Sequence, residues 1–270
     1  MRIGYQGEEH SYSHRTSGAL FPDAVAIGFE ALGAAFEALA AAKVDRLVLP
    51  IENSTTGSVL AVLDGLVAAR PAVVAEHLLE VRHAVIGLPG LDLAAIERIR
   101  SHPEALGQAA GAIRDRGWTP VPSGDTAGAV REVADAADPA EAALGPPWAA
   151  EHHGLEILID GLIDATDNTT RFVVVRSGDP VTGEQDDKAS LAFTTAHRPG
   201  ALAAALTALG VRGANLTRIE SRPTAEAWRY RFFVDLLHDP GPKAFARLAD
   251  PVPEGIDELI HLGSYQAFRS

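Results

Sequence analysis

The stretch Asp167 to Phe172 combines side chains that could together face one small anionic ligand. It offers an amide, three hydroxyl or carboxyl groups, a guanidinium and an aromatic ring directly before the apolar run Val173 to Val175. Amides and hydroxyls donate hydrogen bonds, and arginine keeps its charge at all relevant pH values. On its own, the stretch is explained more simply as a polar turn that opens a strand, with Arg171 in solvent.

A second polar cluster follows the predicted buried strand Arg46 to Ile51. Residues Glu52 to Ser58 supply a carboxylate, an amide and several hydroxyls, and they lead into a predicted helix, Val59 to Ala69. A helix N-cap needs only one of these hydroxyls. Ligands collect at the carboxyl ends of strands in α/β sheets, so the cluster favours a ligand-binding loop.

A third candidate site lies at the predicted N-terminus of a helix. Ser101 is placed to cap a helix that begins at Pro103, because proline is favoured at the first helical position. The Ser101 backbone NH and hydroxyl, with Gln108 further along, could meet an anion there. An ordinary capped helix remains the simpler interpretation of this segment alone.

The histidines give a weaker indication of metal binding. His10 and His14 have helical spacing, and His152 and His153 follow Glu151. No third ligand accompanies the first pair in the sequence, and the second group is typical of a solvated helix face. The sequence therefore predicts no metal site.

Charge and composition exclude several classes of function. The chain has 23 lysines and arginines against 36 acidic residues, a net charge of −13. The acidic excess lies in residues 1–187, so there is no electrostatic basis for binding nucleic acid or an anionic membrane. The basic and aromatic alternation of Trp228 to Phe233 is explained by a half-exposed strand.

Other features indicate a soluble cytoplasmic protein. The absence of cysteine excludes disulfides, thiolate metal sites and cysteine nucleophiles, and fits a reducing compartment. The N-terminus lacks the apolar segment of a signal peptide. The small-residue run Ala31 to Ala42 is too short to span a bilayer.

Predicted strands and helices alternate as far as residue 178, which indicates α/β architecture with parallel pairing. Within this part, Gln6 to His14 is predicted as a loop and Leu93 to Ile99 as a helix. The polar, turn-rich segment Ser177 to Asp187 is a predicted linker. Beyond it the order of elements is βαββαβ, the ferredoxin-like order.

Over nearly its full length the chain resembles the prephenate dehydratases of phenylalanine biosynthesis. Four separated motifs carry the resemblance: Tyr5-Gln6-Gly7 with Tyr12-Ser13; Pro50-Ile51-Glu52-Asn53-Ser54 with Gly57-Ser58; Ser101-His102-Pro103 with Gln108; and Asn168-x-Thr170-Arg171-Phe172. The C-terminal part is similar to the family's ACT regulatory domain, through Pro199-Gly200-Ala201-Leu202, Asn215-Leu216 and Glu220-Ser221-Arg222-Pro223. Glu104 departs from the family, which usually has glutamine there, and so does the loop Glu8-Glu9-His10.

The resemblance implies a two-lobed, periplasmic-binding-protein-like α/β catalytic domain with a central cleft, followed by a ferredoxin-like ACT domain. We expect the catalytic domain to span residues 1–178, with lobe one at about 1–75 and 160–178 and lobe two at about 76–159. The ACT domain is expected over residues 188–270.

The resemblance also implies roles for individual residues. Thr170 is expected to deliver a proton, with Glu52 or Ser101 as partners and Asn53 and Gln108 binding polar atoms. The other substrate-binding candidates are Ser54, Arg171, Phe172, Tyr5, Gln6 and Ser13. The candidates for binding an effector are Gly200, Ala201, Leu202, Asn215, Leu216, Glu220, Ser221 and Arg222.

The implied reaction is the decarboxylating dehydration of prephenate to phenylpyruvate, with no metal or organic cofactor. L-Phenylalanine is the expected effector, bound across subunits of a homodimer or tetramer. Two alternatives remain open. Arogenate dehydratase keeps the chemistry but uses a substrate with an amine in place of the keto group, and a non-catalytic amino-acid sensor would have the same two-lobed shape.

Overall fold

The computed structural model describes residues 1–162 and 168–269, which form two compact units. Asp167 lies outside the described residues. Unit 1 contains Met1–Ala35, Glu52–Gly57 and Leu78–Phe172, and unit 2 contains Phe36–Ile51, Ser58–His77 and Val173–Ser270. Among the helices described, none has the length and apolar character needed to cross a membrane.

The elements alternate along the chain, as the sequence predicts. The strands are β1 (Arg2–Gln6), β2 (Val25–Phe29), β3 (Arg46–Asn53), β4 (Gly57–Ser58), β5 (Ala72–Glu80), β6 (Ala84–Gly87), β7 (Arg98–Ser101), β8 (Thr119–Pro122), β9 (Glu141–Gly145), β10 (Glu156–Ile159), β11 (Thr169–Arg176), β12 (Lys188–Thr194), β13 (Asn215–Pro223), β14 (Tyr230–Leu237) and β15 (Glu258–Tyr265). The helices are α1 (Tyr12–Leu20), α2 (Leu32–Ala40), α3 (Leu60–Ala69), α4 (Pro103–Gln108), α5 (Ala110–Asp115), α6 (Thr126–Ala136), α7 (Trp148–His152), α8 (Ala201–Val211) and α9 (Pro242–Ala249).

Unit 1 contains a five-stranded sheet in the order β10-β6-β9-β7-β8. Successive residues of its strands face opposite sides, so Val85 and Leu144 enter one core cluster while Ile86 and Ala143 enter another. Helices therefore cover both faces. Strand β7 is parallel to β8 and β9, whereas β6 runs antiparallel to both of its neighbours.

The prediction of parallel pairing is thus wrong for β6. A parallel pair needs a crossover connection, usually a helix. Helices α4 and α5 provide one between β7 and β8, whereas only a 3₁₀ turn, Leu93–Ala95, lies between β6 and β7, which run in opposite directions on either side of β9.

Two local predictions in unit 1 are also wrong. Helix α1 begins inside the segment predicted as a loop, because Ser11 caps it by accepting a hydrogen bond from the His14 backbone (3.2 Å). Its hydroxyl-rich sequence carries no apolar stripe to indicate a helix. The helix predicted over 93–99 is a 3₁₀ turn, Leu93–Ala95, followed by β7, where Ile99 is fully buried in the sheet.

Unit 2 confirms the βαββαβ order of the C-terminal part. Strands β12 to β15 form an antiparallel sheet in the order β13-β14-β12-β15, with α8 and α9 packed on the apolar cluster that includes Leu191, Leu209 and Leu248. Gly200 precedes α8 with φ +78°, a conformation that glycine adopts without a steric cost.

Candidate functional site

The ends of β3 and β11 bring two of the predicted polar stretches together within unit 1. The Ser54 backbone NH donates to the Thr169 carbonyl, and the Thr169 NH donates to the Ser54 hydroxyl, both at 2.9 Å. This reciprocal pair uses the Ser54 side chain to join the two strand ends. It places Asn53 beside Thr170, although the two residues are far apart in the sequence.

Four side chains around this junction form a closed ring of hydrogen bonds. Each donates to the next and accepts from the previous one, so the ring closes on itself. In order, Asn53 Nδ2 donates to Asn168 Oδ1 (2.6 Å), Asn168 Nδ2 to Gln108 Oε1 (2.9 Å), Gln108 Nε2 to Thr55 Oγ1 (2.7 Å), and Thr55 Oγ1 to Asn53 Oδ1 (2.7 Å).

The ring is anchored to the backbone at Asn53. Its Oδ1 also accepts hydrogen bonds from the backbone NH groups of Thr55 (2.9 Å) and Thr56 (3.1 Å). Those donors determine which end of the amide is oxygen, so Nδ2 must face Asn168. The remaining hydrogen of Nδ2 is donated to Thr170 Oγ1 at 3.0 Å.

This last bond orients the Thr170 hydroxyl. Because Oγ1 accepts from Asn53, its own hydrogen must point toward a different acceptor. Thr170 is therefore held as a hydrogen-bond donor at a position fixed by the ring. A substrate oxygen placed against this hydroxyl would receive that hydrogen bond.

Arg171 lies on the same strand and pairs with Glu52. Arg171 Nε donates to Glu52 Oε2 at 3.1 Å, with the arginine side chain buried and the carboxylate 36% exposed. The positive charge of Arg171 is thus balanced locally.

Two of the predicted site residues belong to the core. Phe172 is 1% exposed. Ser101 is the last residue of β7 and is fully buried, and its hydroxyl donates to the Leu144 carbonyl at 2.5 Å. The prediction that Ser101 caps α4 is wrong, because the N-cap is His102, whose Nδ1 accepts from the Glu104 NH.

Tyr5, Gln6 and Ser13 lie on β1 and at the start of α1. Tyr5 is buried, and burial raises the pKa of its phenol to about 12, with the charges of Glu9 and Asp125 acting in the same direction. Its hydroxyl therefore stays protonated at neutral pH. Ser13 is also buried, and its carbonyl accepts from the Ser17 hydroxyl.

The loop between β1 and α1 is held by charged side chains. Glu8 accepts two hydrogen bonds from Arg131 of α6 (2.8 and 2.9 Å), and this interaction lowers the pKa of the Glu8 carboxyl. The Glu8 NH donates to Asp125 (3.1 Å). Gly7 precedes it at φ +107°, and a Cβ there would lie 2.7 Å from Asp125 Oδ2, so only glycine fits.

The predicted effector-site residues of unit 2 separate into two groups. Gly200, Ala201 and Leu202 line a cavity of about 350 Å³ together with Trp228 and Tyr230. Asn215, Leu216, Glu220, Ser221 and Arg222 lie on β13. Arg222 pairs there with Asp64 of α3 at 2.6 and 3.1 Å.

Sequence reasoning missed two members of the ring. Asn168, which is 2% exposed, makes two of the four hydrogen bonds of the ring. Thr55 makes the other two, accepting from Gln108 and donating to Asn53. Asn168 belongs to the motif Asn168-x-Thr170-Arg171-Phe172, so the sequence does indicate an amide two residues before Thr170. Thr55 gave no signal beyond its place among other hydroxyl residues.

Comparisons with known proteins identify the family to which the chain belongs. The family model described as prephenate dehydratase matches residues 3–180, and the ACT domain model matches residues 189–248. The chain is 34% identical to a prephenate dehydratase of Mycobacterium bovis, covering 98% of this chain and 87% of the relative. It is 33% identical to the arogenate dehydratase/prephenate dehydratase 2 of Arabidopsis thaliana, covering 99% and 71%.

Two solved structures share the fold over 99% of this chain, each with a TM-score of 0.85. One is prephenate dehydratase from Arthrobacter aurescens in complex with L-Phe, 28% identical and covered over 90% of its length. The other, GqqA, is described as a quorum quenching acylase and is 30% identical over 98% of its length. The likeness confirms the predicted fold class, a periplasmic-binding-protein-like α/β domain followed by an ACT domain. The chain belongs to the prephenate dehydratase family of lyase-type enzymes.

Proposed function

We propose that this enzyme catalyses the decarboxylating dehydration of prephenate to phenylpyruvate. The observation that carries the proposal is the bond from Asn53 to Thr170, which leaves the Thr170 hydrogen free to reach a substrate oxygen. The family membership supplies the substrate, and the ring of amides supplies polar groups suited to its carboxylates.

The reaction requires one proton for the leaving hydroxyl and a substrate that is held in the correct orientation. The ring C–O bond breaks, and the departing hydroxyl takes a proton and leaves as water. The bond to the ring carboxylate breaks as well, its electron pair completes the aromatic ring, and CO₂ is released. Formation of the aromatic ring drives the step, so the protein needs mainly to orient the substrate and protonate the leaving group.

Thr170 is proposed to pass that proton to the leaving hydroxyl. A threonine hydroxyl is a very weak acid, so it acts as a positioned relay whose proton is replaced from solvent. Ser101 is poorly suited as its partner, because its hydrogen is already donated to the buried Leu144 carbonyl. Glu52, which is partly exposed beside Arg171, is the better candidate.

A direct assay tests the activity. Purified protein is incubated with prephenate, and phenylpyruvate formation is followed over time; a parallel reaction contains arogenate. Turnover of prephenate with the larger kcat/KM supports the proposal. A larger kcat/KM for arogenate would favour the alternative, and absence of turnover with both substrates would leave the sensor hypothesis.

We further propose L-phenylalanine as the effector, bound in the cavity beside α8. The cavity has the size of a small-molecule pocket, roughly 300–1,000 Å³, and aromatic side chains meet the N-terminus of α8 there. Calorimetry with L-phenylalanine tests this, and Gly200→Val should weaken binding, because Gly200 lines the cavity at φ +78°, a conformation that valine adopts only with strain.

Strand β13 contacts Ser58, the last residue of the polar segment Glu52 to Ser58, and Asp64 of α3. Arg218 donates to the Ser58 hydroxyl at 2.8 Å, and Arg222 pairs with Asp64. The same segment carries Asn53 and Thr55. A shift of β13 would therefore move residues adjacent to the ring.

Several finer features remain proposals. These are a catalytic domain over residues 1–178 with the two lobes described above, an ACT domain over 188–270, a homodimer or tetramer, and a cytoplasmic location. The matched ranges 3–180 and 189–248 support the domain boundaries. Light scattering at several protein concentrations tests the subunit count.

A further inference from the structure

Four histidines from two distant parts of the sequence meet in unit 1. The rings of His10 and His152 lie 3.9 Å apart, between centroids. His14 lies 5.6 Å from His10, and His153 lies 4.9 Å from His152. The sequence indicates only two local pairs, His10 with His14 and His152 with His153. The fold brings the two pairs together into one cluster.

The cluster contains a set of potential metal ligands. One donor atom from each of Glu9, His10 and His152 lies within 4.8 Å of the other two. Bonds to Zn²⁺ are about 2.0–2.2 Å long for imidazole and carboxylate ligands. Small rotations of these side chains would bring all three donors to that distance from one ion.

His10 Nε2 is an unused donor atom in this cluster. It is shielded from solvent and has no hydrogen-bond partner among the described residues. A buried polar atom without a partner is uncommon and needs an explanation. The Glu9 carboxylate, a second member of the same potential ligand set, lies 3.8 Å from His10 Nε2.

The two segments that supply the ligands are already held together. The Trp148 indole NH donates to the His10 carbonyl at 2.6 Å, which fixes the loop against α7, the helix of His152. The His10 NH donates to His14 Nδ1 at 2.9 Å, so His14 orients His10 from within α1. His10 also has φ +66°, an uncommon conformation that such contacts maintain.

We propose that Glu9, His10 and His152 form a site for a divalent transition metal, with Zn²⁺ as the expected ion. Two imidazoles and one carboxylate are ligands that Zn²⁺ accepts, with water completing the coordination. The ion would cross-link the loop after β1 to α7. It takes no part in the dehydration chemistry proposed above.

Metal titration of the full chain tests this site. The protein is prepared without a histidine tag and treated with chelator, then titrated with Zn²⁺ by calorimetry and with Co²⁺ by visible absorption. We expect one saturable site per chain, a Co²⁺ spectrum typical of low coordination number, and a rise in Tm with Zn²⁺.

Matched variants assign the ligands. His10→Gln, His152→Gln and Glu9→Gln should each weaken Zn²⁺ binding by roughly tenfold or more, since loss of even an outer-sphere partner costs about 10–100-fold. His197→Gln, at an exposed histidine of unit 2, should bind like the wild type. Circular dichroism establishes that each variant is folded. Absence of saturable binding to the wild type, or equal affinity in wild type and the three ligand variants, would overturn the proposal.

Discussion

Asn53 donates a hydrogen bond to the Thr170 hydroxyl oxygen at 3.0 Å, while the other end of its amide is held by the backbone of Thr55 and Thr56. The direction of the Thr170 proton is therefore set by a residue on a different strand. This relationship makes Asn53 a positioning residue for the proposed chemistry, and it leads to the first prediction.

Asn53→Asp should lower kcat by about 10²–10³-fold, the usual effect of losing one well-placed donor in an active site. Aspartate has nearly the same shape but cannot donate to Thr170 or Asn168. The Thr170 proton would then turn toward the new carboxylate. Steady-state kinetics with prephenate measures the effect, and a kcat within threefold of wild type would show that this bond is not needed.

The ring predicts a graded series among its members. Gln108→Glu removes the donor to Thr55 but leaves the bond from Asn53 to Thr170, so we expect a loss of kcat of roughly tenfold. Asn168→Ala opens the ring next to Asn53 and should cost more. The two kcat values are compared under saturating prephenate, and the reverse order would contradict the proposed role of the ring.

The pair of Arg171 and Glu52 should contribute to stability as well as to the site. Arg171→Met leaves the Glu52 carboxylate without this partner and should lower the free energy of unfolding by about 1–3 kcal/mol, since the carboxylate is partly exposed. Urea unfolding measures it. The double variant with Glu52→Gln should lose less than the sum of the single changes; additive losses would show that the pair is not coupled.

Buried His83 should make stability depend on pH. Burial lowers its pKa from 6.5 to about 4, and its Nδ1 lies 3.2 Å from the Tyr12 hydroxyl. Between these two pH values the unfolded chain binds a proton that the folded chain does not, so stability is full above pH 6.5 and falls as pH falls toward 4. The loss is at most about 1.4 kcal/mol per pH unit, and about 3 kcal/mol in total.

Unfolding of His83→Gln between pH 7 and 5 checks this contribution. The variant should show a shallower fall in stability than the wild type over that range. Half-buried His261, whose pKa desolvation also lowers to about 4, should leave a residual slope in the variant. Identical slopes in variant and wild type would contradict the assignment to His83.

Ser58→Ala should weaken the proposed link between effector and active site. The variant loses one acceptor of Arg218, which also pairs with Asp235. We expect phenylalanine to bind with unchanged affinity but to alter turnover less than in the wild type. Calorimetry and kinetics on the same preparation separate the two effects, and an unchanged response would exclude this contact from the link.

The sequence predicted the elements that carry a clear pattern. The βαββαβ order of unit 2 is confirmed because its strands and helices have distinct periodicities, and the buried strands before Glu52 and before the linker were also found. Helix α1 was not predicted, because its buried residues are Ser13, Thr16 and Ser17. The hydroxyls of Thr16 and Ser17 bond to the backbone of the preceding turn. Hydrophobic periodicity cannot reveal such a face.

The site was only partly predictable for a related reason. The motifs identified Asn53, Gln108 and Thr170, but their connection depends on which strand ends meet and on the direction of each amide. Those facts arise from the pairing of Ser54 with Thr169 and from the backbone donors at Asn53. The histidine cluster is a similar case, since His152 reaches His10 only through the packing of α7 against the loop after β1.

The most direct test of the central claim is the kcat of Thr170→Val compared with Thr170→Ser. Valine keeps the shape of threonine without the hydroxyl, and serine keeps the hydroxyl without the methyl group. Transfer of the proton through this hydroxyl predicts that Thr170→Val loses about 10²–10⁴-fold in kcat while Thr170→Ser retains most of it. Equal kcat values for the two folded variants, with thermal melts close to that of the wild type, would contradict the account.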